Sequence, residues 1–435
     1  MTDVTRGLVG LAWPMVLRML MLHGIVVIDA WLVAPLGEEA LAAMGLASAM
    51  GGLLLGAQNA CANAAQILAA QAYGSGSPAR LRAVYHEGLA ISAAVCLLGL
   101  AVLWAGGDGF LAMSGQSAEV QANARLYLNI FVGVLISEAI AQSLSAFSNG
   151  TGDTRRPLVS YLVSVPVNIG LSWALIHGHF GLPRLELAGA AIGSVAGAIL
   201  RAAYLIHLRF RPAPDVEALP FWPGLRAHLA FALPVAATFF SAQASSSVCM
   251  LIYAAYDVRQ FAALTLILPW VQVAGTFGMA WAQAVGIHVA QHLGRHGLSD
   301  SLRVALRTAW KGAFVMSAVV AAFFAVVILS SGRLYPSLAP ETRAALMGFL
   351  PVLLLLPWPK NSNAICGNTL RAAGRTVYVM HIFLWSQWAF KVPLSAALVF
   401  WLDAPVFWVV ALLLAEEVVK LWPFHHGVRR AIWQR

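Results

Sequence analysis

Twelve stretches of about 20 or more predominantly apolar residues follow one another along this chain, and a run of that length crosses a bilayer as one helix. They cover residues 8–34, 41–72, 86–112, 120–147, 157–178, 187–208, 227–256, 261–292, 305–331, 342–366, 376–402 and 405–424. Their density accounts for the composition: 60% of the 435 residues are hydrophobic and 10% are charged. A soluble domain carries about 25% charge, so a water-soluble globule is excluded. Disorder is excluded by the same excess of apolar surface. The runs are continuous and far longer than a barrel strand of about ten residues, which argues for helices. The first run is too long for a signal-peptide core and no small-residue cleavage site follows it, so a retained helix is expected. Cys61, Cys96, Cys249 and Cys366 lie inside apolar runs without CxxC spacing. Neither a disulfide scaffold nor a common zinc site is expected from them.

Orientation is read from the cations. With the N-terminus inside, the cytoplasmic segments hold Arg6, Arg80, Arg82, Arg155, Arg156, Arg209, Arg211, Arg226, Arg295, Arg303, Arg307, Lys311, Arg371, Arg375, Lys420, Arg429, Arg430 and Arg435. The other side holds Arg125, Arg184, Arg259, Arg333 and Arg343. Eighteen against five places both termini in the cytoplasm, and an even number of spans agrees. The net charge of +9 is thereby explained by cytoplasmic loops, and no nucleic-acid partner is expected. The setting implied is a bacterial cytoplasmic membrane.

The two halves of the chain are alike. Ala42, Gln71 and Gly74 match Ala262, Gln291 and Gly294 at an offset of 220, as Pro14 matches Pro234. GDT at 152–154 matches GRT at 374–376 at an offset of 222. The expectation is an N-terminal six-helix lobe over 1–208, a polar, Pro-rich cytoplasmic linker over 209–226, and a C-terminal six-helix lobe over 227–435. Parallel repeats of this kind are a transporter architecture; duplication as a simple way of making a helical bundle is the bland alternative.

Several segments resemble the multidrug and toxic compound extrusion family. PMVLRMLMLHGIVVIDAWLVAPLGEEALAAMG at 14–45 is similar to its first two helices, and NGTGDTRRPL at 149–158 to its loop after helix 4. VNIGLSWALI (167–176) and LAGAAIGSVAG (187–197) resemble its helices 5 and 6, and LRAAGR (370–375) and KVPL (391–394) the matching C-half motifs. The resemblance covers nearly the whole chain. It implies an all-α integral membrane exporter of twelve helices in two pseudo-symmetric six-helix bundles, which alternates its access and expels an organic substrate against protons or sodium.

An ionisable group at mid-membrane costs about 2.5–3.5 kcal/mol on insertion scales, so each is a functional candidate. Asp29 stands in a long apolar helix, where an anion is costly and a proton can neutralise it; it also falls on the family's N-lobe carboxylate. Asn168 matches the family's Asn in helix 5. Four residues on, Ser172 stands where many members have a second Asp, and Ser194 keeps a hydroxyl where relatives carry Thr. A sodium cage wants several oxygen ligands, so this loss favours protons. In the C-half, Ser241 or Ala242 stands where one subgroup has a Glu, and Lys360 where it has an Asp. Lys360 lies in PWPKNSN, beside Asn361, where two prolines weaken the helix. It is read either as an acceptor of an anionic substrate group or tethered cation, or as the partner of a carboxylate.

Offset 222 carries Lys360 onto Glu138, a second proton-site candidate whose alternative is a structural ion pair. Arg18 is expected at the cytoplasmic headgroups, Lys391 is read as structural, and Glu416 and Glu417, near Lys420 in the last helix, as forming a membrane-edge i,i+4 pair. His23 is the one histidine near Asp29. Gln243 is a polar cavity candidate. Phe239, Phe240, Trp281 and Trp358, with Trp270, Met279 and Trp385, could line a chamber for flat organic molecules, or could face lipid.

A primary pump needs a nucleotide site, and YGSGSPARL at 73–81 lacks GxxxxGK[ST]; no cofactor is expected. An intramembrane aspartyl protease is suggested by GTGD at 150–153 and Tyr256-Asp257, but in the wrong order and on opposite membrane faces. A lipid-linked precursor flippase of the same superfamily would use Arg18, Arg201 and Lys360 for pyrophosphate. The reading preferred is a monomeric, proton-coupled exporter of amphipathic organic compounds.

Overall fold

A computed structural model describes residues 3–209, 216–334 and 339–434. Arg211, Arg435 and residues 210–215 of the expected linker lie outside the described residues. Every apolar run is helical, and the described residues contain no strand. In chain order the helices are α1 (Asp3–Val33), α2 (Glu38–Gly74), α3 (Pro78–Met113), α4 (Ala118–Gly150), α5 (Arg155–His177) and α6 (Glu186–His207). There follow α7 (Phe221–Tyr253), α8 (Val258–His296), α9 (Asp300–Leu329), α10 (Pro340–Leu355 then Pro357–Ala372), α11 (Thr376–Trp401) and α12 (Val406–Val428). Ten of these are long and apolar enough to cross a membrane, and α10 is an eleventh if its segments, bent by 44°, form one span. In α12 the apolar run is interrupted by Glu416, Glu417 and Lys420.

Local chemistry sets the helix ends. Ser77, Ser117 and Ser299 cap α3, α4 and α9 by accepting backbone N–H groups, which a helix start otherwise leaves unpaired. Asp257 does the same for α8, accepting from the backbone of Arg259 and Gln260 at 2.9 and 3.0 Å. The Gln260 N–H, first among these bonds, holds the Asp257 carboxyl below the usual carboxylate range. The bend in α10 follows from Pro357 and Pro359, which lack the N–H that would continue the ladder. Side chains take up carbonyls there: the Trp358 indole donates to Leu354 at 3.0 Å, and Ser317 of α9 donates to Pro357 at 3.1 Å.

The chain forms two compact units, Leu17–Leu233 and Met1–Val16 with Pro234–Arg435. In the first, α2 packs on α3 and α4, α4 on α6, and α5 on α6. The α5–α6 contact is made by a glycine stripe at four-residue spacing. A Cβ on Gly189 would stand 2.7 Å from the Leu175 carbonyl carbon, one on Gly193 2.1 Å from Ser172 Oγ, and one on Gly197 2.8 Å from Asn168 Cβ. Small residues are what lets two helices approach this closely inside a membrane, where lipid is as apolar as the side chains. The stripe therefore presses α6 onto the face of α5 that carries Asn168 and Ser172.

In the second unit α8 packs on α9 and on the second segment of α10, which also packs on α12. Trp281 fills the notch left by Gly312, where a Cβ would stand 2.0 Å from the indole, and its N–H donates to the Ala309 carbonyl at 3.0 Å. Trp281 is thus a buried packing residue of α8 and α9 rather than part of a chamber wall.

The glycine stripe makes a stability prediction. Gly193→Val should lower the thermal stability of the purified protein by about 1–3 kcal/mol, the usual penalty of overpacking. Gly170→Ala, on a glycine with nothing within 4 Å of its added Cβ, should leave it unchanged. Thermal unfolding in detergent followed by tryptophan fluorescence measures both.

Candidate functional site

In the first unit polar groups stand on four helices. Asp29, near the end of α1, is half-buried; its Oδ1 is enclosed without a hydrogen-bond partner, and it makes no ion pair among the described residues. The buried Tyr127 of α4 packs in one apolar cluster with Leu32 and Val33 of α1 and Ala190 and Ala191 of α6. Asn168 of α5 donates to Ser194 Oγ at 3.4 Å, and Ser172 Oγ lies 3.4 Å from both the Asn168 side-chain oxygen and the Ala190 carbonyl. Tyr127, Asn168, Ser172 and Ser194 are all buried. The structure therefore gathers Asn168, Ser172 and Ser194 into one network. Chemically the set holds one carboxyl among neutral hydroxyl and amide groups. His23 turns inward on its own helix, its Nδ1 bonded to the Met19 carbonyl at 2.8 Å.

Glu138 lies elsewhere in this unit. Both of its oxygens accept from Arg201 Nη1, and Gln142 donates to Oε2 at 3.3 Å. Arg201 is 1% exposed; it also donates to Ser145 at 3.2 Å and lies over the Tyr161 ring at 4.3 Å. The guanidinium thus ties α4, α5 and α6 together. Of the two readings of Glu138, the geometry is that of the ion pair, and Arg201 is enclosed by it rather than offered to a pyrophosphate. Arg18 departs from its expected place at the headgroups. Its Nε is buried without a partner, and it makes no ion pair among the described residues.

The second unit gathers charges from α10, α11 and α12. Lys420 donates to Glu416 at 3.1 Å and to Glu417 at 2.9 Å, and Lys391 stands 3.7 Å from Glu416. Asn363 donates to Glu417 at 2.8 Å, and Ser386 to Glu416 at 3.4 Å. The expected i,i+4 pair is present: Glu416 and Lys420 are bonded and buried in this network, whose further partners on α10 and α11 are remote in sequence. Lys391 joins this network through Glu416. Lys360 is within reach of these charges but makes no hydrogen bond or ion pair among the described residues. Its neighbour Asn361 is buried and donates to Ser317 at 2.9 Å.

Ser241 of α7 joins a neutral network. It donates to Gln387 at 2.5 Å and accepts from the Trp388 indole at 2.9 Å. Both partners lie in a π-helical turn, Ser386–Lys391, a feature frequent at functional sites and without a sequence signal of its own. Of the cavity candidates, Phe239 and Phe240 pack edge to face at 5.7 Å, with Phe240 and Gln243 exposed on their unit. Trp358 is half-buried beside Phe314 at 5.5 Å. Asp153 and Asp257, the protease candidates, are each engaged at a helix start, Asp153 with Arg156 at 2.5 Å. Among the described residues no cluster of three metal-ligating side chains occurs.

Known proteins agree with this architecture. The MatE family model matches residues 14–174 and 234–397. The two matches begin 220 residues apart, the offset of Pro14 and Pro234. A probable multidrug resistance protein NorM of Rhizobium meliloti (strain 1021) is 26% identical over 386 residues, 84% of this chain and 82% of its own length. Another NorM, of Bradyrhizobium diazoefficiens, is 27% identical over 406 residues, covering 90% and 85%. Among solved structures, MATE in the bent conformation has a TM-score of 0.87 at 17% identity, covering 99% of this chain and 96% of that one. The eukaryotic MATE transporter AtDTX14 has a TM-score of 0.78 at 21% identity, covering 99% of both. The fold and its repeat define a multi-pass, all-helical membrane transporter. Within that class the chain belongs to the MatE family of multidrug and toxic compound extrusion transporters.

The ion pair of Glu138 can be tested by stability. Removing one partner of a buried pair costs about 3–5 kcal/mol, whereas replacing both by apolar groups is often neutral. Glu138→Gln should therefore lower the melting temperature clearly, and the double variant Glu138→Leu/Arg201→Met should recover most of the loss. Full stability of Glu138→Gln with loss of transport would instead make Glu138 a coupling residue.

Proposed function

We propose that this chain exports amphipathic organic compounds from a bacterial cell in exchange for protons, by alternating access. The observation that carries the reading is Asp29: a carboxyl on a membrane helix, one oxygen enclosed and unpartnered, with no ion pair among the described residues. A carboxylate in that position is costly as an anion and is neutralised by a proton. The relatives named as multidrug resistance proteins support an organic substrate. Ser172, in place of a second carboxylate, leaves a site of one charge and neutral oxygens, which suits a proton better than sodium.

In the cycle proposed, the ionised carboxylate accompanies the substrate-binding state. Protonation of Asp29 from outside removes its charge, rearranges α1 over the Ser194–Asn168–Ser172 line, and releases the substrate. Glu138 and Arg201 hold the scaffold. The lobes 1–208 and 227–435 are the moving parts, in a monomer of the cytoplasmic membrane with both termini inside. Lys360, Asn361, Gln243, Phe239, Phe240 and Trp358 are assigned to the substrate side, and Trp281 to the support behind it.

Proton–substrate exchange is a reciprocal coupling, typically about 1–3 kcal/mol or 5–150-fold in affinity. Ligand affinity of the wild-type protein should fall by that factor between neutral and acidic pH, because the proton competes. In Asp29→Asn the affinity should lose its pH dependence, and proteoliposomes should bind ligand without net transport. Normal turnover in this variant would sink the assignment. Replacing sodium by potassium at fixed pH should leave transport unchanged; a drop to background would move the coupling to sodium.

A further inference from the structure

The charges of the second unit do not balance. The second segment of α10, with α11 and α12, brings three ammonium groups (Lys360, Lys391, Lys420) toward two carboxylates (Glu416, Glu417). Both carboxylates are already served. Lys420 donates to each of them and has the Phe383 ring at 5.0 Å, Lys391 faces Glu416 Oε2, and Asn363 donates to Glu417 Oε2. Lys360 is the cation left over. Its neighbour Asn361 gives it no compensation, because that amide is bonded to Ser317 and its oxygen sits over Gly278. On the α8 side Nζ lies against the backbone at Gly275, where an added Cβ would stand 3.5 Å from it. A half-buried ammonium without an anionic partner, on a helix that crosses the membrane, is a charge waiting for a counter-ion.

We propose that Lys360 is the anion subsite of the substrate, so that the molecules carried are amphipathic acids, one anionic head on an apolar body. This names the substrate class of the efflux reading and rests on it. The local surplus of one positive charge is neutralised on binding, and the head is fixed by a charge-assisted contact while the body enters apolar surroundings. The acid contributes the negative charge that the two glutamates, bound to Lys420 and Lys391, do not supply. Two sources share this chemistry, a free organic acid and the headgroup of an anionic phospholipid.

The test uses the full chain in phosphatidylcholine nanodiscs, with dansylglycine and its methyl ester as fluorescent probes and empty nanodiscs as the partition control. In wild type the acid should bind about tenfold more tightly than the ester, the scale of one charge-assisted contact. The preference should vanish in Lys360→Gln and persist in Lys360→Arg. The melting temperature of Lys360→Gln should be unchanged or raised, because an uncompensated charge has been removed. An unchanged acid-to-ester ratio in Lys360→Gln overturns the proposal. So does a lowered melting temperature with the ratio intact, which would make Lys360 a partner of Glu417. Adding phosphatidylglycerol identifies the source: weakened dansylglycine binding in wild type but not in Lys360→Gln assigns the site to a phospholipid head, and no effect assigns it to the free acid. If the ester is exchanged for protons as well as the acid is, the anion subsite fails and the efflux reading stands. Binding of both probes without pH dependence fails the efflux reading itself, and binding of neither fails both.

Discussion

An ion in hydrocarbon has to be compensated where it sits, and that single constraint organises both units. Arg201 is enclosed because Glu138 accepts from it, Ser145 takes a further N–H, and Tyr161 offers its ring. Lys420 is enclosed on the same terms by Glu416, Glu417 and Phe383. These groups are scaffold: each draws three helices to one point, and none is free to change its charge without a large penalty. Arg18, whose Nε is unpartnered, Asp29 and Lys360 stand out against that background. Asp29 and Lys360 make no ion pair among the described residues, and a group left unpaired at such expense is where a mobile charge can act.

Backbone chemistry shapes the surroundings in each unit. The glycine stripe of α6 lets α5 approach until Ser172 and Asn168 are pressed against it, so that short polar side chains bridge the helices directly. With larger residues on α6 the distance would grow and the Ser194–Asn168–Ser172 line could not close. In the second unit the two prolines of PWPK do the corresponding work by bending α10 at 44°. The bend frees carbonyls that Ser317 and Trp358 occupy, and Lys360 emerges in the turn just beyond it.

Most of the fold was legible from the sequence, because a bilayer permits so few spanning structures. Apolar length sufficed for every helix, and the offset of Pro14 and Pro234 is the offset of the two family matches. The candidate site was legible in part. Asn168, Ser172 and Ser194 lie on α5 and α6 at positions that a motif identifies, and they meet. Gln387 and Trp388 were not legible, because an aromatic or amide residue in an apolar run looks the same whether it faces lipid or completes a network. The contacts of Glu416 and Glu417 with α10 and α11 were not legible for a related reason. Their partners are far away in the chain, and spacing along one helix reports only the partners on that helix.

The two repeats have parted in charge while keeping their plan. At an offset of 222, Glu138 in the first half corresponds to Lys360 in the second, so the same register position bears an acid in one half and a base in the other. In the first half the acid at that position has been absorbed into the scaffold, and the free group is a different carboxyl, Asp29. In the second half the base at that position is itself the free group, and the scaffold pair has moved to α12. A carboxyl that takes up a proton and an ammonium that takes up an acid are complementary, since each reaches neutrality by acquiring what the cycle delivers. On the reading proposed here, the duplicated fold lets the coupling charge and the substrate charge be handled in separate copies, each held rigid by an ion pair of its own.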